Sequence, residues 1–310
     1  MTQRPNPVPP PRRVVVAGSV IAEVVMSVTE LPRRGGEVRA ADAVARAGGG
    51  YHVLVAARRA GLEAALAGLV GTGPMAQVVA RAMLRDGIPV LLPSRQGEQG
   101  FSVVLAEPQG STTRVASPGV ESQLSEDDLR LVRLCDDDVA YLSAQDLLDP
   151  VTGAAIAHWC GSPAGLGSAL LVLDPGPLVS DVADEILDAV LARTDVLAVG
   201  LHEIELLSGL HGDPTRALPD LADLLAPEGI VLLRRGEGRY ALHERDGQTY
   251  EFPGDEPGPQ RLREVGHLLR HLAELSSARV EPADGVEDGD DDTWRSGQSA
   301  RTAMALLATD

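Results

Sequence analysis

Short apolar runs that end in glycine or aspartate, spaced by helical stretches, restrict the folds open to this chain more than any other feature. Val14-Val15-Val16-Ala17-Gly18 is a buried-strand pattern. Similar patterns predict strands over 64–70, 88–92, 139–143, 170–174, 196–199 and 230–233. Helices are expected over 53–60, 75–85, 152–160, 181–192, 203–208 and 218–225. Gly61 and Gly209 stop two of them, and Ser125, followed by acidic residues, starts another. Strands that alternate with helices in this way predict an α/β fold, a mainly parallel central sheet covered on both faces. Two regions do not fit that sheet. Val24 to Val28 is extended, Glu37 to Val44 alternates weakly as a half-exposed strand would, and 101–107 with 112–116 flank the turn Pro108-Gln109-Gly110-Ser111 as a hairpin. They are expected to form a small β lid, about 24–44 and 101–116, beside the main sheet. A second hairpin is expected from 239–244 and 248–252.

Charge limits what this sheet can face. Twenty-seven basic residues stand against 45 acidic ones, a net charge of −18, which repels nucleic acid and anionic lipid. A phosphate-bearing ligand stays possible, because backbone amides at a helix N-terminus bind phosphate without net positive charge. No apolar run is long enough to span a membrane, and residues 1–13 lack the apolar core of a signal peptide. They read as a disordered lead-in to a domain over 14–310, and the expected location is cytoplasmic. Cys135 and Cys160 are too few for a disulfide framework or a zinc site and are expected to be reduced. The chain has no lysine, and Asn6 in the lead-in is its one asparagine. Mechanisms that need a lysine or a core asparagine are closed to it. Residues 281–292 hold seven acids among twelve positions and read as a solvated acidic loop. No Rossmann glycine fingerprint, Walker turn or catalytic-triad spacing is found.

Several short pieces fall in one collinear order. Gly18-Ser19 ends the first strand, and Gly48, Gly50, Gly61 and Gly71 keep a fixed spacing. Val70-Gly71-Thr72-Gly73, Asp174-Pro175-Gly176-Pro177, Glu203 to Gly209 and Leu233 to Gly236 follow. In this order the chain resembles the ribokinase, or PfkB-type, carbohydrate kinase family over about residues 14–250. The resemblance implies a ribokinase-like three-layer sandwich. It also implies ATP and Mg²⁺ as the phosphoryl donor and its metal, and a sugar or nucleoside hydroxymethyl group as acceptor. A homodimer through the β lid is implied as well.

The resemblance also places roles on individual residues. Glu23, Gly48, Gly49 and His52 fall at acceptor-binding positions. Ile21 stands where relatives hold a hydroxyl-binding asparagine, Gly49 where they often hold a lysine, and His52 where their signature has asparagine. Glu203 matches the glutamate that helps position Mg²⁺, with Gly200 in place of an asparagine. Gly236 and Gly258 match nucleotide-side glycines. The catalytic base has two registers. By spacing it is Arg261, which stays protonated and cannot act as a base. By residue identity it is Asp292 within Asp290-Asp291-Asp292-Thr293-Trp294. These departures leave two functions open: a kinase with eroded catalytic motifs, or a pseudokinase that keeps the fold for binding or regulation. Glu23 and Glu203 could equally be solvated acids at element ends, and Gly48 to Gly50 a plain strand-to-helix turn.

Overall fold

Period-two alternation in the apolar strands builds both layers of the core at once. The computed structural model describes residues 13–252, apart from 60, 109–110, 211–212 and 237–238. In chain order the strands are β1 (Val14–Val16), β2 (Val20–Ser27), β3 (Asp42–Gly49), β4 (Ala64–Leu66), β5 (Phe101–Ala106) and β6 (Thr112–Ser117). They continue with β7 (Val139–Ser143), β8 (Leu170–Asp174), β9 (Val196–Gly200), β10 (Ile230–Gly236), β11 (Arg239–Glu244) and β12 (Thr249–Phe252). The larger sheet has the order β12-β11-β10-β9-β8-β7-β1-β4. It is parallel from β10 to β4, and the β11–β12 hairpin extends its edge antiparallel.

Successive side chains of these strands go to opposite cores. Val15, Leu142, Leu171, Leu173 and Leu233 enter one, with Ile156 and Trp159 of α4 (Pro150–Gly161) and Ile204 of α6 (Leu201–Ser208). Val14, Val16, Val139, Val172 and Leu232 enter the other, with Leu54 of α1 (Tyr51–Arg59) and Val79 and Met83 of α2 (Pro74–Arg85). This double coverage is what the unbroken apolar strands predict. Each buried Val or Leu contributes roughly 1.5–3 kcal/mol relative to exposure. Among the described residues no helix is long and apolar enough to cross a membrane.

The smaller sheet has the order β3-β2-β5-β6 and differs in detail from the expected lid. Its strands are 20–27, 42–49, 101–106 and 112–117, so the first begins before the expected 24–28 and the second begins later and ends later than the expected 37–44. Gly48 and Gly49 are the last residues of β3 rather than a free turn. Pairing with Val20 and Ile21 of β2 holds them in the ladder, a tertiary contact that local glycine content does not reveal. The strand expected at 88–92 is reduced to one isolated bridge, Leu66 with Val90, because the β4 strand it lies beside is only 3 residues long. The lead-in of 1–12, the acidic loop 281–292, Gly258, Arg261 and Asp292 lie outside the described residues.

Candidate active site

Strand order locates the site before any side chain is considered. From β1 the chain builds outward to β4, and from β7 it builds the opposite way to β10. The order therefore reverses between β1 and β7, and in open α/β sheets ligands bind beyond the carboxyl ends of the strands at such a reversal. Gly18 and Ser19 follow β1 there, and Asp146 follows β7. The Ser19 backbone N–H donates to Asp146 Oδ1 at 2.9 Å. A Cβ on Gly18 would lie 2.1 Å from Asp146 Oδ2, so glycine is required for this approach. Burial pushes the Asp146 carboxyl up to about 6 despite the hydrogen bonds from Ser19.

On the small-sheet side, β2 carries Glu23 against Arg46 of β3, its cross-strand partner. Glu23 is almost wholly buried, its side chain 2% exposed. Arg46 Nε donates to Oε2 at 3.2 Å, and Arg114 Nη1 of β6 donates to Oε1 at 2.7 Å. His52, in the first turn of α1, brings Nε2 to 3.7 Å from Oε2. Burial alone would raise the Glu23 pKa, but the His52 ring and the Arg114 guanidinium outweigh it and hold the carboxyl at about 2. A Cβ on Gly48 would lie 2.3 Å from Glu23 Cδ, so this glycine makes room for the carboxylate. Gly49 has φ +64° and packs on the Ser19 carbonyl. Beside Glu23 across β2 and β5, Ser102 is fully buried, and its hydroxyl has no partner among the described residues.

Four sequence-predicted residues, Glu23, Gly48, Gly49 and His52, thus come together. One expectation changes: Glu23 is neither a solvated strand-end acid nor an open acceptor, since both its oxygens are occupied. Sequence reasoning missed Arg46, Arg114 and Asp146. The available signal was a lone arginine in each of two small-sheet strands, with no local partner.

Further along the same carboxyl edge lies a second cluster. Tyr141 Oη of β7 donates to Asp174 Oδ2 of β8 at 2.9 Å. Arg234 of β10 donates to both oxygens of Asp174, at 3.2 and 3.4 Å, and to Glu203 Oε1 at 3.5 Å. Burial would lower the Arg234 pKa, but Asp174 and Glu203 raise it above the usual arginine value. The other Glu203 oxygen accepts the Gly200 N–H at 2.8 Å, closing the first turn of α6.

Residues 11–254 match the pfkB family carbohydrate kinase profile. The chain belongs to the PfkB family of carbohydrate kinases. A relative from Escherichia coli (strain K12), "Uncharacterized sugar kinase YegV", is 26% identical over 244 residues, which is 77% of this chain and 75% of the relative. The structure of ribokinase from Giardia lamblia matches with TM-score 0.70 at 18% identity, covering 96% of this chain and 90% of that one. Arabidopsis thaliana ribokinase complexed with ribose and ATP matches with TM-score 0.60 at 18% identity, covering 97% and 99%. At these identities the structural matches establish the ribokinase-like fold.

Within that fold, the predicted metal role of Glu203 meets a correction. Its carboxylate is shared between its own helix start and Arg234, and both Asp174 oxygens are taken. Among the described residues no group of three His, Cys, Asp or Glu side chains could hold a metal ion. These residues do not fit a directly ligated Mg²⁺ as they stand, because Arg234 and the Gly200 N–H already engage all four carboxylate oxygens. Gly236, the nucleotide-side candidate, ends β10 two residues after Arg234.

Proposed function

We propose that this PfkB-family chain is a carbohydrate kinase that moves the γ-phosphoryl group of ATP to a sugar or nucleoside hydroxymethyl group. In that reaction the acceptor oxygen bonds to the γ-phosphorus, the bond to the β-phosphate oxygen breaks, and ADP leaves. The acceptor hydroxyl gives its proton to a base. The observation that carries the reading is the convergence of Glu23, Gly48 and His52 beside Ser19 and Asp146, where the sheet order reverses. The acceptor would sit between this corner and the small sheet. ATP would lie toward Gly236, at the end of β10. Asp292 is the proposed base, and in the other register Arg261 takes its position and leaves none. A dimer through the small sheet is proposed from the family resemblance alone.

The second reading, a pseudokinase, is favoured by one specific observation. Arg234 closes the β8 strand-end carboxylate of Asp174 and the Glu203 carboxylate in the first turn of α6, the two that would face a nucleotide's metal. Losing a positioned base costs ~10²–10⁴-fold in rate, so the two readings differ by orders of magnitude in turnover. Isothermal titration calorimetry with ATP, with and without Mg²⁺, followed by ADP release over a panel of acceptors, separates them. Turnover that disappears in Asp292→Asn supports the kinase with Asp292 as base. ATP binding without turnover on any acceptor leaves the pseudokinase, and no binding at millimolar ATP removes the kinase and leaves a fold kept for some other partner.

A further inference from the structure

Arg46 and Arg114 hold one buried carboxylate with a small part of their donor capacity. A guanidinium carries five N–H donors in a planar fork. Arg46 spends Nε on Glu23, and Arg114 spends Nη1. Their other guanidinium nitrogens have no hydrogen-bond partner among the described residues. Both side chains are about half exposed, at 54% and 50%, while Glu23 is 2% exposed. Glu23 therefore cannot offer its oxygens to a ligand, and the surface it presents is the two guanidinium groups it orients.

Charge and polarity point the same way. Two guanidinium groups against one carboxylate leave this corner net positive, on a chain whose overall charge is −18. A neutral polyol gains little from such a spot, whereas an anion gains charge-assisted, bidentate hydrogen bonds. Ile21, on the same face of β2 and two residues before Glu23, offers an acceptor no hydrogen bond. Polar recognition at this end of the site falls to the arginines and His52.

We propose that the acceptor taken by this site is an anionic sugar, with a carboxylate or phosphate group held by Arg46 and Arg114. The proposal rests on the acceptor-site reading above. It makes Arg46 and Arg114 specificity-determining residues and Glu23 a positioning residue.

Matched probes test it by calorimetry on the full chain: D-gluconate against D-glucose, D-galactonate against D-galactose, and glucose 1-phosphate against glucose. The aldonates report a carboxylate, and glucose 1-phosphate reports a phosphate while keeping a free hydroxymethyl. At least one anionic probe is expected to bind 10-fold or more tighter than its neutral partner. Arg46→Gln and Arg114→Gln should each weaken it at least 10-fold and leave ATP affinity unchanged, which also verifies folding. Arg216→Gln, at an exposed site elsewhere, should change nothing. Neutral sugars that bind as well as their acids would overturn the proposal and keep the kinase reading. So would anion binding that is indifferent to both arginine variants. If no sugar of either kind binds, the acceptor-site reading falls, and the proposal with it.

Discussion

The two ion clusters on the carboxyl edge use the same side-chain types in opposite proportion. At the small sheet, two arginines surround one buried acid and keep unspent donors at the surface. Over β7 to β10, one arginine, 18% exposed, lies between two acids and a tyrosine and is spent on them. The first arrangement is poised to take up an anion. The second ties β7, β8 and β10 to the start of α6. Proportion and exposure, rather than residue type, separate a binding surface from a structural lock.

The sharpest way to break this comparison is Arg234→Ala. It leaves Asp174 and Glu203 facing each other without a cation, and removing one partner of a largely buried ion pair costs about 3 kcal/mol. Thermal unfolding should shift down by roughly 6–12 °C for a domain of this size. A shift under about 2 °C would show that the cluster is not a lock.

Glu23→Gln comes next, with a pH signature. The unfolded chain takes up this proton near the ordinary 4.5 and the folded chain near about 2, so stability falls as pH drops through that window. The charged form contributes about 3 kcal/mol above it. Urea unfolding at pH 7 and at pH 3 should show the wild type losing most of that difference and Glu23→Gln losing almost none. Parallel pH dependence in both proteins would contradict the assigned ion pairs.

Asp146→Asn tests the strand-order reversal and has the opposite sign. With a folded pKa of about 6, above the ordinary 3.8, the aspartate weakens the fold as pH rises from 3.8 through 6. The amide keeps an acceptor for the Ser19 N–H and removes the buried charge. It should stabilise the protein by roughly 1–2 kcal/mol at pH 7.5 and by nothing measurable at pH 3.5, allowing for partial solvent access. Equal stability at both pH values would rule out a raised Asp146.

The smallest effect is expected from Arg46→Gln on stability alone. Its guanidinium is half exposed, and such pairs contribute ~0–1 kcal/mol. A loss above about 2 kcal/mol would move Arg46 into the structural class and sharpen the line between the clusters in the other direction.

The main sheet was legible because its information is local. Strands 139–143 and 170–174 coincide with β7 and β8, since apolar runs bounded by turn residues need no distant partner to be recognised. The 88–92 run looked similar but pairs with its neighbour β4 only around Leu66, because β4 is just 3 residues long. The Glu23 corner, the proposed acceptor site, was half legible. Glycine spacing and His52 marked it, but the sequence pattern is silent on whether Glu23 is exposed, and burial with Arg46 and Arg114 reverses its meaning.

By itself, then, the sequence determined the α/β class, most strands and helices of the main sheet and the family, all written in periodicity, turn residues and the order of glycines. Tertiary structure alone decided which charge meets which. Arg114 reaches Glu23 across 91 residues of chain, and Arg234 reaches Asp174 across 60. The physical reason is that an ion pair depends on the distance between two side chains and on the water excluded from between them, and chain folding sets both.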